Sequence, residues 1–326
     1  MAEASQVEVR RLRAEDAVQL AACFERCYGS TYTYPEFYDP ECIVDRIVEG
    51  SLRSAVADAG GGRIVGHIGL TVRHKHAICV EAGNSVVDPA FRGHRLLARL
   101  GALLHQLCVD DGFIGYHHYP TTAHPIMQRA AAAVGPEMGL MLAHIPAETS
   151  YQEMDVRVRE RIAALISYTP LAPAPRREVF APTRYATLVE RLYEQARFPR
   201  SLRSASADPK GGSAKVTVAR SEHRRSSTIT VHQTGDDLDS IVERELAQAS
   251  LEVLHVDLLM NEPHLDHTID VLHRQGFVYC GLLPEFLEYD VLRMQRVTRP
   301  TANTFRPELA TDGGRALLRE ILADRR

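Results

Sequence analysis

Between Ala77 and Asp110 the apolar pattern changes period once. Ala77–Val87 reads as a strand, Phe91–Asp110 as an amphipathic helix, and the junction is V-V-D-P-A-F-R-G-H-R. Side chains recur with period two on a strand and 3.6 on a helix, so this stretch predicts a strand that turns sharply into a helix. Gly93 permits a close backbone approach at that turn, and Arg92, His94 and Arg95 surround it with donors and positive charge. A helix start also offers unpaired N–H groups and the positive end of the helix dipole. Together these features point to an anion, most simply a phosphate.

The same alternation runs through the first half of the chain. Val7–Leu12 is a strand and Ala14–Tyr28 a helix. The tyrosine-rich loop Y-G-S-T-Y-T-Y-P-E-F-Y-D-P-E leads to a second helix over Pro40–Glu49, ended by Gly50. Ser54–Ala59 and Arg63–Arg73 form a hairpin through Gly60-Gly61-Gly62. After the turn come a strand at Phe113–Tyr119, a helix at His124–Val134 and a strand at Leu140–Ile145. The second half repeats the style. Strands are expected at Arg177–Ala181, Lys215–Arg220, Ser227–His232, Glu252–Leu259, Val278–Leu282 and Glu288–Gln295. Helices are expected at Arg184–Gln195, Asp239–Ala249 and Leu265–Gln275, and Ser201–Ala214 reads as a loop. The fold class expected is a mixed α/β sheet covered by helices.

With 326 residues, of which 45% are hydrophobic, the chain is comfortable as two domains. A formal net charge of −4 argues against a general nucleic-acid binder. No apolar run is long enough for a membrane span and the first residues carry no apolar signal core, so the chain reads as soluble and cytoplasmic. None of the six cysteines forms a C-x-x-C pair. Cys23 and Cys27 stand one helical turn apart, with no second Cys or His pair at ligand spacing, so they read as reduced thiols and no metal is expected.

The element order β-α-α-β-β-β-α-β-α-β, with V-x-P-x-x-R-G before the third helix, resembles the GNAT family of acyl-CoA-dependent N-acyltransferases over about Val7 to Ala147. Y-G-S-T-Y-T-Y-P-E-F-Y-D-P-E, V-G-H-I-G-L, T-T-A-H-P-I-M-Q-R-A-A-A-A-V-G and L-L-P-E-F-L-E-Y-D-V-L-R-M-Q resemble a bacterial subgroup of that family, some of it fused to anti-sigma-type ATPase domains. The resemblance implies acetyl-CoA (coenzyme A) as co-substrate, with its pyrophosphate on the turn and its pantetheine arm along the preceding strand. Val86, Val87, Arg92, Gly93, His94, Arg95 and Leu96 are the implied coenzyme-binding residues. The family pattern Q/R-x-x-G-x-G/A falls on Ala90 to Arg95: Gly93 matches, while Ala90 and Arg95 depart from it. In the fourth helix, Ala131 stands where the family often places a Tyr acid, and His124 replaces an Asn.

Acyl transfer to an amine needs a base and oxyanion donors. Glu81 resembles the family's base position, His118 lies on the next strand, and His124 could supply the missing acid; these three are the catalytic candidates. His117 and His118 cannot both face one side of the sheet. Tyr32, Tyr34 and Tyr38 fall where the family builds its acceptor pocket. The domains expected are 1–147 for coenzyme binding, a linker at 148–174, a degenerate GNAT-like domain at 175–298 that lacks an R-G-x-G turn, and a tail at 299–326. The expected function is N-acylation of a small amine or amino-acid-like acceptor, with neither nucleic acid nor membrane as partner and with a homodimer allowed. The alternative is a non-catalytic coenzyme A sensor or interaction protein.

Overall fold

The computed structural model describes residues 7–123, 125–147, 149, 160–208 and 210–325. The described residues divide into two compact units, one of residues 7–118, 147 and 149 and one of residues 119–123, 125–146, 160–208 and 210–325.

The first unit runs β1 (Glu8–Arg11), α1 (Ala17–Tyr28), α2 (Pro40–Val48), β2 (Leu52–Asp58), β3 (Ile64–Thr71), β4 (Cys79–Val87), α3 (Leu96–Asp110) and β5 (Gly115–His118). The strands lie in the order β1-β2-β3-β4-β5. All neighbours are antiparallel except β4 and β5, which the α3 crossover makes parallel. This is the element order that the resemblance implies for this stretch. Each face of the sheet buries a separate core. Leu52, Val56, Ile64 and Val86 pack under α1 with Leu20, Phe24 and Cys27. Ala55, Ala57 and Val65 pack under α3 with Phe91, Leu96 and Leu100. The alternation of one strand between two apolar faces is what a sheet covered on both sides requires.

The second unit holds α4 (Pro125–Val134), β6 (Glu137–Ile145), β7 (Ile162–Pro170), β8 (Arg177–Ala181), α5 (Ala186–Gln195), β9 (Arg200–Ser204), β10 (Lys215–Ser221), β11 (Ser226–Gln233), α6 (Leu238–Leu246), β12 (Val253–Leu259), α7 (Leu265–Arg274), β13 (Val278–Leu283), β14 (Val291–Val297) and α8 (Asp312–Asp324). Its main strands lie in the order β7-β6-β13-β14-β12-β11-β10, while β8 and β9 form a parallel pair of their own. Within this sheet β11 and β12 are parallel, joined through α6, and β10, β14 and β13 pair antiparallel around them.

Four segments differ from the sequence reading. The third helix begins at Leu96 rather than Phe91, because Gly93 (φ +83°) and Arg95 (φ +57°) cannot continue a right-handed helix. The expected linker contains β7, nearly all of it buried; a strand buried on both faces shows no alternation to reveal it. The expected loop after residue 201 begins with β9, paired to β8. The expected tail ends in α8, whose N-cap Thr311 accepts a bond from Gly314 N and whose Leu317 and Ile321 are buried.

Candidate functional site

The junction that stood out in the sequence is built as follows. β4 pairs with β5 only from Cys79–Gly115 to Ala82–His118, and then runs on to Val87. Parallel partners that part company leave a length of strand edge beyond the last pair, here Gly83–Val87. On its other side, β4 carries an extra residue against β3: Gly69 faces Gly83 and His67 faces Val86, so Ile68 stands against Asn84 and Ser85 together. This is a β-bulge, and Asn84 takes a left-handed conformation (φ +56°) within it.

Asp88 ends the strand. Its buried carboxylate caps a short 3₁₀ turn, Pro89–Phe91, by accepting from Ala90 N at 3.1 Å, and accepts from Arg26 Nε of α1 at 2.5 Å. Arg26 also donates to Ile64 O at 2.6 Å, so the turn is tied to β3 as well. Arg92 Nε donates to Val87 O at 3.3 Å. Gly93, His94 and Arg95 are exposed, and a Cβ at Gly93 would have open space around it. The first helical bond of α3 runs from Arg99 N to Arg95 O at 3.1 Å, so the N–H groups of Leu96, Leu97 and Ala98 precede the ladder. Val86 and Val87 point into the two opposite cores and Leu96 is buried. Of the seven expected coenzyme residues, the turn thus exposes Gly93, His94 and Arg95, leaves Arg92 half-buried, buries Leu96 and keeps Val86 and Val87 as packing groups whose backbone lies on the strand edge.

The faces sort the remaining candidates. A Cβ at Gly69 would meet Ser54, His67 and Leu52, which places Gly69 and its partner Gly83 on the α1 face. Glu81, two residues earlier, shares that face, and so does its β5 neighbour His117. His118 is the neighbour of Ala82 and lies on the α3 face, so the fold does not bring Glu81 and His118 together. Burial, with His117 beside it, lowers the His118 pKa to about 4, which makes it a poor proton acceptor near neutrality. Glu81 is ion-paired with Arg73. His124 lies outside the described residues.

The tyrosine loop joins the α1 face. Phe24 stacks on Tyr32 and Phe37 with centroids 4.7 and 4.6 Å apart, and Tyr28 and Tyr34 flank Tyr32 at 4.7 and 5.8 Å. Tyr38 Oη accepts from Tyr32 N at 2.8 Å, and burial raises its pKa. Tyr32 Oη donates to Asn84 Oδ1 at 2.9 Å, which pins the loop to the bulge of β4.

Sequence reasoning missed three residues of this site. His67, in V-G-H-I-G-L, is fully buried between Phe24 and Phe37, with ring centroids 5.6 Å from each. It meets Asn84 O at 2.7 Å and Ser54 Oγ at 2.9 Å. A carbonyl only accepts, so Nδ1 carries the proton and Nε2 accepts from Ser54. Burial lowers the His67 pKa to about 4, so the ring stays neutral near pH 7. A polar residue inside an apolar strand pattern was the available signal for His67 and Ser54. Nothing local marked Asn84, because the bulge exists only in the pairing.

Among the described residues, no cluster of His, Cys, Asp or Glu could hold a metal, and no helix is long and apolar enough to cross a membrane. No family model and no curated protein matches this chain. Solved structures do. A GNAT superfamily phosphinothricin acetyltransferase of Sinorhizobium meliloti, in complex with AcCoA, is 17% identical, with 51% of this chain and 89% of that chain covered and a TM-score of 0.41. Mutant forms of a spermidine/spermine N-acetyltransferase of Vibrio cholerae give 15% identity, 51% and 94% coverage and a TM-score of 0.39. An N-acetyltransferase of Thermoplasma acidophilum in complex with coenzyme A gives 14%, 51% and 99%, with a TM-score of 0.36. Each of the three covers about half of this chain.

Proposed function

We propose that the chain is an acyl-CoA-dependent N-acyltransferase acting on a small amine or amino-acid-like acceptor. The observation that carries this reading is the β4–α3 junction: a strand edge without its parallel neighbour over Gly83–Val87, followed at once by an exposed glycine turn and the open start of a long helix. These residues fit acyl-coenzyme A. The N–H groups at the start of α3, with Arg92 and Arg95, would hold the pyrophosphate. The Gly83–Val87 backbone would pair with the amide-bearing arm. The coenzyme supplies an activated thioester; the chain holds it and admits the amine.

The amine would enter on the α1 face, which carries Tyr32, Glu81 and His117. Its nitrogen forms a bond to the acyl carbon while the carbon–sulfur bond breaks. The ammonium proton passes to Glu81 or His117, directly or through water, and the departing thiolate takes up a proton. Attack is direct, without a covalent enzyme intermediate. Of the three catalytic candidates, Glu81 is kept in this reading, His117 takes the place of His118, and His124, outside the described residues, is given no step.

We read residues 175–298, within the second unit, as a degenerate copy of the same fold. The support is its run β10-β11-α6-β12, in which β11 and β12 are parallel as β4 and β5 are. At the corresponding turn stand Asp236 and Asp237, whose carboxylates accept from Gly212 N at 3.1 Å and Ala214 N at 2.6 Å. Two carboxylates at a helix start repel an anion, so the coenzyme belongs to the first unit.

The test is calorimetric titration with coenzyme A and acetyl-CoA, for the native chain and for Gly93→Asp. The reading expects one site per chain, weakened more than tenfold by the added carboxylate; a native chain that binds neither overturns it. The second reading, a coenzyme sensor without turnover, is favoured by the ion pair that occupies Glu81. Turnover assays with a panel holding a polyamine and several amino acids decide between the two.

A further inference from the structure

Asn84 is the point where the two halves of the proposed site meet. Its side chain accepts from Tyr32 of the tyrosine loop at 2.9 Å, and its carbonyl accepts from His67 at 2.7 Å. His67 is held in turn by Ser54 at 2.9 Å. The residue itself sits at φ +56° in the bulge of β4, inside the strand edge Gly83–Val87. An extra residue in a bulge takes its carbonyl out of the regular ladder, and a carbonyl facing the core needs a donor from elsewhere. His67 is that donor. It is neutral, has no polar atom to spare, and is packed between Phe24 and Phe37, so it holds the carbonyl in one place.

We propose that Asn84 is a positioning residue that couples the tyrosine loop to the strand edge of β4, through Tyr32 on its side chain and His67 on its carbonyl. The inference rests on the reading of that edge as the coenzyme strand. Its content is a linkage. When the loop holds Tyr32 on Asn84, the bulge keeps the edge in its pairing geometry, and coenzyme binds an edge already in place. By reciprocity, coenzyme on the edge steadies the loop by the same factor. The acceptor side of the site is then ordered by arrival of the coenzyme, although neither Tyr32 nor His67 needs to touch it.

The experiment uses the full chain, coenzyme A as probe, and the variants Tyr32→Phe, Asn84→Gly and the double variant. Glycine adopts φ +56° without strain, so Asn84→Gly keeps the backbone and removes the link. Calorimetry is expected to show coenzyme A binding weakened about fivefold in Tyr32→Phe, the worth of one neutral hydrogen bond. The double variant is expected to bind no more weakly than Asn84→Gly alone, because both changes cut one connection. Hydrogen exchange gives a readout that a merely structural role would not move. Coenzyme A should slow exchange over residues 28–38 in the native chain and should fail to do so in Asn84→Gly. Unchanged affinity in Tyr32→Phe, additive losses in the double variant, or loop protection that survives in Asn84→Gly each overturn the coupling while the coenzyme reading stands. A native chain that binds no coenzyme A overturns both.

Discussion

Arg95 occupies the position where the resembling family keeps a small residue, and it does so at φ +57°. A side chain in the left-handed region costs about 1 kcal/mol or more relative to glycine. Such strain next to an exposed helix start is retained at a price in stability, and the compensation here is a cation at the proposed phosphate cradle. Arg95→Gly should therefore raise the melting temperature by a few degrees, on the order of 1 kcal/mol in a unit of this size. It should also weaken coenzyme A binding several-fold. Thermal melts and calorimetry on the same variant check both; a variant with unchanged affinity removes Arg95 from the cradle. Asn84 makes the converse case. Its left-handed backbone tolerates Asn or Gly but not a β-branched residue, so Asn84→Val should cost about 2 kcal/mol, read as a shift of the urea midpoint.

At the scale of elements, two contacts in the second unit decide how strands meet. β6 and β13 pair through Gly139 opposite Gly281. A Cβ on Gly139 would lie 2.3 Å from Cys280 O and 2.4 Å from Gly281 Cα, both main-chain atoms that cannot step aside. Gly139→Ala should destabilise the chain by about 1–3 kcal/mol, as overpacking of a tight core does. A melting temperature equal to the native value would show that β13 can shift. The second contact is the buried pair between β12 and β14, where Arg293 donates to Asp257 at 2.6 and 2.8 Å. Asp257→Asn leaves a buried guanidinium without its counter-charge and should cost about 3–5 kcal/mol. Asp257→Leu with Arg293→Met should recover most of that loss in chemical denaturation, because no charge remains to be desolvated.

For the whole molecule, buried histidines set the acid limb of stability. Burial lowers the pKa of His67 and His118 to about 4, and burial together with nearby arginines holds His144 and His255 well below the ordinary value. In the unfolded chain each titrates near 6.5. Above that pH both states are neutral and stability is insensitive to these groups. As pH falls below about 6.5, the unfolded chain takes up protons that the folded chain refuses. Stability then drops by about 1.4 kcal/mol per pH unit for each histidine until its folded pKa is reached. The melting temperature should be level from pH 8 to 7 and fall steeply from pH 6 to 4.5. A flat profile between pH 7 and 5 would mean that these histidines are not buried in solution.

The linear order of residues was enough to announce most elements and the junction at Val86–Leu100. Periodicity, Gly93, Gly50 and the Gly60–Gly62 hairpin are local signals, and local signals survive without knowledge of the fold. It was not enough for β7 and β9, nor for α8, which the tail reading passed over, because a buried strand without alternation and a short exposed one look like linker and loop. The site divides the same way. The turn proposed to hold the phosphate is contiguous in sequence, so its backbone form could be read from Gly93 and its neighbours. The partner of Glu81 across the sheet, His117 rather than His118, depends on the register of β5 against β4. Asn84, His67, Ser54 and Tyr32 come from four separate segments and meet only because one extra residue in β4 turns a carbonyl inward. Pairing register and bulges arise between strands distant in sequence, and only the tertiary structure could decide them.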